Sequence, residues 1–326
     1  MTYDFSTQRR KDAIKNLRLC GLALDFDRRI STMTHLTLYG GIEGGGTKFN
    51  CAIGNSPENI IAEARFATTT PAETVAQVIE FFLPYVDQMQ AIGLGSFGPF
   101  DVDPSSPTYG YVTTTPKPHW GNANLLGMLR AKLPLPIAVE MDVVVAGLGE
   151  AKWGASKNDS HSLYLTVGTG IGGGYIVDGK PFHGLTSLEM GHIRLARDPQ
   201  RDPFRGACPY HGDCFEGLAA GPALEARFGQ RGETLPDDHP YWDLEAGYIA
   251  QALVNYILSL SPKRIIIGGG VMQKSFMFPW VRQKTQELLN GYVSHDVILH
   301  HIDEYIVPPA LGNRAGVLGA IALAMG

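Results

Sequence analysis

The sequence contains no apolar run of the roughly 20 residues that a helix needs to cross a bilayer, and its first residues carry neither the apolar core nor the small-residue cleavage site of a secretory signal. These two absences predict a cytoplasmic protein with no membrane attachment. Cysteine is scarce, four in 326 residues, which excludes a disulfide-built scaffold and leaves reduced thiols. Positive charge is not in excess: 27 Lys and Arg stand against 32 Asp and Glu, for a net charge of -5, so nothing in the composition draws the chain to nucleic acid. A small-molecule partner is the expectation that remains. A hydrophobic content of 44% and a charged content of 18% describe an ordinary globular chain, long enough for two domains that each bury a core.

The first 32 residues differ from the rest, being rich in Arg and Lys and ending at a second methionine, Met33. Strand patterning begins only after it. Residues 1–37 are therefore expected to be a weakly helical extension or a start placed too far upstream; the alternative is an interaction or targeting helix. Mass spectrometry of the natively expressed N-terminus separates these.

What the chain has in abundance is glycine, 39 residues, gathered at a few places. "LTLYGGIEGGGTKFNCAIGN" predicts two strands around a glycine turn, with "KFNCAIG" alternating like a half-buried strand. A helix over "PAETVAQVIEFFLPYVDQM", a strand at "AIGLGSF", and a strand "PIAVEMD" running into a helix "VVVAGLGEAKWG" follow. "SLYLTVGTGIGGGYIVDGK" then repeats the opening hairpin, an echo that predicts two halves built on one plan. Beyond it come helices at "GPALEARFG" and "YWDLEAGYIAQALVNYILSL", a buried strand "RIIIGGG", and a closing helix of small residues.

The turn Glu43 to Lys48, with Gly45, Gly46 and Thr47, lies between strands and so is not a strand-to-helix phosphate loop, yet its backbone N–H groups can converge on an anion. The turn Thr166 to Gly174 offers the same geometry, with the Thr169 hydroxyl beside Gly170. A third group, Gly268, Gly269, Gly270, Val271 and Met272, follows a buried strand where a flat ligand can approach the backbone. One such turn is usually only a turn. Three point to the phosphates of a nucleotide. Phosphoryl transfer needs the phosphates held, Mg²⁺ to spread their charge, and a carboxylate to accept the proton of the attacking hydroxyl. Asp142, where a strand meets a helix, is the candidate base; capping that helix is the bland role it could also fill. Glu43, opposite the first turn, is the candidate to hold Mg²⁺ through water.

"GACPYHGDCFE" (residues 206–216) is compatible with a metal site, a redox pair or a plain loop when taken alone.

From Gly40 onward the motifs "GGIEGGGTKF", "GSFGPFDV", "YGYVTTTPKPHW", "EMDVVVAGLGEA", "TVGTGIGGGYIVDGK", "EMGHIRL", "CPYHGDCFEGLAAGPA", "RIIIGGGVM" and "LGNRAGVLGA" resemble, in order, those of the ROK sugar-kinase family. "CPYHGDC", "GSFGP" and Glu43 resemble its zinc-containing fructokinase branch. The resemblance implies an α/β fold of the actin-like ATPase (ribonuclease H-like) type, two domains about a cleft. Residues 38–153 plus 309–326 would form the smaller domain, with the last helix returning to it, and 154–308 the larger. It also implies ATP as donor, fructose as acceptor at its 6-hydroxyl, Asp142 as base, phosphate held at Thr169, and adenosine against Gly268 to Met272 with Ala219 beside it. Glu189, Glu216 and His192 would meet the sugar, and a homodimer is implied. Closure is expected around hinges near Gly154 and Pro309. Val144 stands where many relatives have Asn, which removes a possible amide contact to sugar or base. Asn313 stands for a frequent Asp at the last helix's start, where either residue can cap.

His192 completes the pattern His-x15-Cys-x2-His-x2-Cys with Cys208, His211 and Cys214, a donor set suited to tetrahedral Zn²⁺. A thioredoxin-type redox pair needs two residues between its cysteines, and here there are five. A closed site would leave zinc to shape the sugar pocket by placing Glu189 and Glu216. Cys20 and Cys51 fall outside it, read as a tail thiol and a buried strand residue. The rival readings are a kinase for glucose, mannose or N-acetylmannosamine, a ROK transcriptional regulator, and a non-catalytic sugar sensor. Some 40 residues before the first phosphate turn are too few for a winged helix domain.

Overall fold

The structure, a computed structural model, describes residues 37–326; the extension read at the N-terminus and Cys20 lie outside the described residues. Leu38–Gly326 forms one unit built on two five-stranded sheets. The first contains β1 (Leu38–Gly44), β2 (Lys48–Ser56), β3 (Asn59–Ala67), β4 (Met89–Ser96) and β5 (Ile137–Met141) in the order β3-β2-β1-β4-β5. The second contains β6 (His161–Val167), β7 (Ile171–Val177), β8 (Lys180–Pro181), β9 (Arg264–Gly268) and β10 (Ile306–Val307) in the order β10-β9-β6-β7-β8. β1 and β6 play the same part in each, pairing antiparallel with the next strand and parallel with β4 or β9. The echo between the two glycine hairpins is thus a repeat of topology.

The helices are α1 (Pro71–Phe82), α2 (Leu125–Arg130), α3 (Asp142–Trp153), α4 (Phe215–Ala219), α5 (Gly221–Phe228), α6 (Tyr241–Leu260), α7 (Met277–Leu289), α8 (Asp296–Leu299), α9 (Ile302–Tyr305) and α10 (Ala315–Met325). Local chemistry sets their ends. Thr70 and Glu73 form a reciprocal capping box ahead of Pro71 in α1, and α5 stops at Gly229 in the left-handed conformation. α10 packs on β1, β2 and β4 and against α3, which in turn lies on β6 and β7, so these two helices fill the space between the sheets. This is why β2 alternates only as far as Cys51: Ala52 and Ile53 are both buried, with Ala52 clustered against Val317 and Ile321 of α10. The first core gathers around Phe49, Phe82 and Trp120, the second around Phe215, Trp242 and Ile265. Each fully buried side chain of this size contributes about 1.5–3 kcal/mol, enough for either sheet to hold its own layer.

Two helix starts differ from expectation. The extended conformation runs through Met141, which is the N-cap of α3, so Asp142 is the first helical residue and not its cap. Asn313 lies inside a 3-10 turn (Gly312–Arg314), and Arg314 precedes α10 as its N-cap. Val144 is buried in the cluster between the sheets, against Gly174 of β7, and lines none of the three cavities described below. Among the described residues no helix is long and apolar enough to cross a membrane.

Candidate active site

Two cavities adjoin the point where β5 becomes α3, and another opens off one of them. The first, ≈ 380 Å³, lies between the sheets and is lined by Glu43, Lys48, Asp142, Gly268, Gly269 and Asn313, among others. The second, ≈ 420 Å³, shares Gly270 with it and is walled by Thr169, Gly221, Pro222, Val271 and Lys274. The third, ≈ 680 Å³, begins at Met141 and extends past Asp101, Asp103, His183 and Glu189.

Asp142 lines the first, and the adjoining Met141 lines the third. Asp142 Oδ1 accepts the Val143 N–H at 2.8 Å, leaving Oδ2 with no side-chain donor among the described residues. Burial pushes its carboxyl up to about 6 from 3.8; the Val143 N–H opposes this, and the neighbouring Glu43 charge adds to it. Asp142 is therefore mostly ionised at neutral pH yet close enough to it to take up a proton. Glu43, on β1, accepts from Asn50 Nδ2 at 2.8 Å, and burial raises its pKa as well. Gly316 at the start of α10 admits it closely: a Cβ there would stand 2.3 Å from Glu43 Cδ.

The tip of the first glycine turn, Gly46 to Lys48, is exposed, and of Gly45 to Lys48 only Lys48 lines a cavity; the Gly45 N–H is bonded to Lys48 O at 2.9 Å, and those of Gly46 and Thr47 have no protein acceptor among the described residues. The second turn is tied from two sides. Gly221 N donates to Gly168 O at 2.7 Å, and Ile171 N donates to Glu216 Oε2 at 2.9 Å, leaving the N–H groups of Thr169 and Gly170 facing outward. In the third group Gly269 has φ 93° and a Cβ there would lie 2.3 Å from Val167 O, so only glycine lets the chain turn from β9 into the cavity. Met272 lines the first cavity and Val271 the second. Ala219 is fully buried and borders none of the three; Gly221 and Pro222 stand where it was expected.

His192, Cys208, His211 and Cys214 converge, with their ligand atoms within 4.8 Å of one another. His192 Nδ1 lies 3.8 Å from Cys208 Sγ and 3.5 Å from Cys214 Sγ, and His211 Nδ1 lies 3.7 Å from Cys208 Sγ. Donors about 2.0–2.3 Å from a tetrahedral centre are separated by about this much, so the four fit a zinc ion. Cys208 and Cys214 are buried side by side, and burial together with the adjoining thiol pushes Cys214 up to about 11, a state that a bound divalent cation reverses. The cluster is local in origin: His192 ends a 3-10 turn, Cys214 is the N-cap of α4, and Phe215 N donates to Ile193 O at 3.0 Å. His192 points its Nδ1 into this cluster and borders none of the three cavities. Glu189 reaches the third cavity, and its carbonyl accepts the His192 N–H at 3.0 Å. Glu216 is half-buried beside the second glycine turn instead. Cys51 is buried and free, with its thiol raised by desolvation.

Several neighbours of the site escaped sequence reasoning. Asn50, which fixes Glu43, follows Glu43 by seven positions and faces it only because β1 and β2 are in register. Glu140 is 2% exposed and pairs with His183 at 2.7 Å. A carboxylate inside the buried strand "PIAVEMD" was a legible signal, because such a charge demands a partner, but the partner's identity was not. Glu150, fully buried in α3, accepts from the N–H groups of Ala155, Ala310 and Leu311 at 2.7, 3.1 and 2.8 Å.

A family model described as "ROK family" matches residues 39–326. A fructokinase of Pediococcus pentosaceus is 45% identical over 287 residues, covering 88% of this chain and 97% of its own length. A fructokinase of Lactococcus lactis subsp. cremoris is 46% identical over 287 residues, covering 88% of this chain and 96% of its own. The crystal structure of a ROK hexokinase from Thermus thermophilus superposes with a TM-score of 0.72 at 23% identity, covering 89% of this chain and 98% of that one, which establishes the common actin-like ATPase fold. With a family match over nearly all the described residues and relatives of this identity along almost their full lengths, the chain belongs to the ROK family.

Proposed function

We propose that the protein is an ATP-dependent fructokinase, transferring the γ-phosphate of ATP to the 6-hydroxyl of D-fructose. The observation that carries the reading is Asp142: one carboxylate, raised to about 6 by burial, that lines the glycine-rich first cavity next to Met141 at the start of the third, where Asp101, Asp103 and Glu189 stand. The relatives that are fructokinases supply the acceptor.

In this reading the sugar occupies the third cavity, with Glu189 against its hydroxyls, while Glu216 holds the second turn through the Ile171 N–H. The triphosphate runs from the first cavity, where Lys48 meets it, towards the second, where Thr169 stands, with adenosine there against Gly270 and Val271; the free N–H groups of Gly46, Thr47 and Gly170 would reach it as the two turns close. Asp142 Oδ2 takes the proton of the 6-hydroxyl as that oxygen bonds to the γ-phosphorus and the bond to the bridging oxygen of ADP breaks. Mg²⁺, held by Glu43 through water, would neutralise charge on the β- and γ-phosphates. Zinc on His192, Cys208, His211 and Cys214 would hold the chain between Glu189 and Glu216 in place, outside the chemistry. Residues 38–153 with 309–326, and 154–308, would act as two domains that close about the sugar, turning near Gly154 and Pro309, where Glu150 ties both crossings together. A homodimer and a cytoplasmic location belong to the same proposal.

The test is kcat/KM for fructose, glucose, mannose and N-acetylmannosamine, for wild type and Asp142→Asn. Fructose is expected to lead, with the Asn variant slowed about 10²–10⁴-fold on every sugar; preference for another hexose removes the acceptor, and a variant within tenfold of wild type removes the mechanism.

A further inference from the structure

β5 and β8 are edge strands of different sheets, and Glu140 of β5 pairs with His183, just beyond the end of β8. His183 follows β8 and leads into the exposed segment that ends at Glu189; its Nε2 lies 2.7 Å from Glu140 Oε2. Glu140 precedes Asp142 by two residues, and its other oxygen, Oε1, accepts the Met141 N–H at 2.8 Å. The carboxylate is 2% exposed and the imidazole 40%, so the pair runs from the interior of the first sheet to the wall of the third cavity. If the two sheets part here, a buried charge loses its counter-ion, a costly state that favours the engaged arrangement.

We propose that the Glu140–His183 pair is a latch across the sugar-side cavity, and that His183 is a positioning residue: by engaging Glu140 it draws the segment carrying Glu189 against the strand that presents Asp142. The inference rests on the reading of that cavity as the sugar site. The hydrogen bond that His183 donates to the Glu140 carboxylate holds its imidazolium protonated above the usual histidine range, so the latch is engaged at low pH and released as pH rises through that raised value. The other ionisable groups facing this wall are Asp101 and Asp103 after β4 and Glu189 before His192, with Tyr109 and Arg130 beyond Glu140.

Two measurements on the full chain test this. In steady-state kinetics, His183→Ala is expected to raise KM for the hexose about tenfold, the worth of a hydrogen bond to a charged group, while KM for ATP changes by less than about twofold. Wild-type kcat/KM for the hexose should fall on the alkaline side; Glu140→Gln should move that fall to lower pH, and His183→Gln should abolish it. An unchanged hexose KM in His183→Ala, or an alkaline fall that persists in His183→Gln, overturns the latch. The second measurement is independent of activity: chymotrypsin cleavage after Phe182 and Leu185 at a fixed, slightly acid pH. His183→Ala should be cut about tenfold faster than wild type, and equal rates overturn the latch even if no hexose is a substrate. A wild type that phosphorylates no hexose but shows this difference refutes the functional reading alone.

Discussion

Replacing Asp142 by Asn separates catalysis from stability, because burial acts on the two in opposite directions. With the carboxyl at about 6, roughly one-eleventh of the molecules hold the base ionised at pH 5 and ten-elevenths at pH 7, so kcat/KM should rise about tenfold across that interval. The Asn variant should lose about 10²–10⁴ in kcat and, in what activity remains, the acid limb as well. Stability runs the other way. A carboxylate whose folded value exceeds its unfolded 3.8 binds protons more tightly when folded, so its contribution to stability falls as pH rises from 3.8 through about 6, and above that the full cost is present. The shift corresponds to at most about 3 kcal/mol, and because the side chain keeps some contact with water in the cavity, about 1–2 kcal/mol is the figure to expect. At pH 7.5 the variant should therefore melt higher by a few degrees, at about 2–4 °C per kcal/mol. The assays are a coupled sugar-phosphorylation assay from pH 4.5 to 9 and calorimetry at pH 4 and 7.5, where the gain should vanish at the lower pH. An Asn variant within tenfold of wild type, or one that keeps the acid limb, refutes the assignment of the base.

Cys214→Ser is expected to abolish stoichiometric zinc by elemental analysis and to lower activity by loosening the chain between Glu189 and Glu216; full activity in zinc-free protein contradicts that role. Gly316→Ala places a Cβ 2.3 Å from Glu43 Cδ and should cost about 1–3 kcal/mol in thermal unfolding while weakening the Mg²⁺ dependence of turnover; wild-type behaviour in both would show that Glu43 has room to move. Glu150→Ala strands the N–H groups of Ala155, Ala310 and Leu311 and should destabilise the chain by about 3 kcal/mol or more in denaturant titration, with Glu150→Gln in between; a loss under about 1 kcal/mol would mean that water replaces the carboxylate.

The elements were legible because their signals are local. Glycine turns between alternating strands, a Pro at a helix start and a left-handed glycine at a helix end act within a few residues, and "GACPYHGDCFE" places three metal-binding side chains within seven positions. The repeat between the two hairpins gave the doubled topology in the same way, and order of motifs along the chain gave the family. Asp142 was found for its place at the end of a strand, although the chain enters α3 one residue earlier than capping would require.

What the sequence by itself determined is the parts list: two glycine hairpins of one plan, a strand-end aspartate, and a His and Cys donor set. The tertiary structure alone decided which parts face one another. Whether Val144 meets sugar or β7, whether Glu216 reaches a cavity wall or the N–H of Ile171, and which partner a buried Glu140 finds all depend on α3 and α10 lying between two sheets. Such contacts join residues 30 to 160 positions apart, and only packing brings them together.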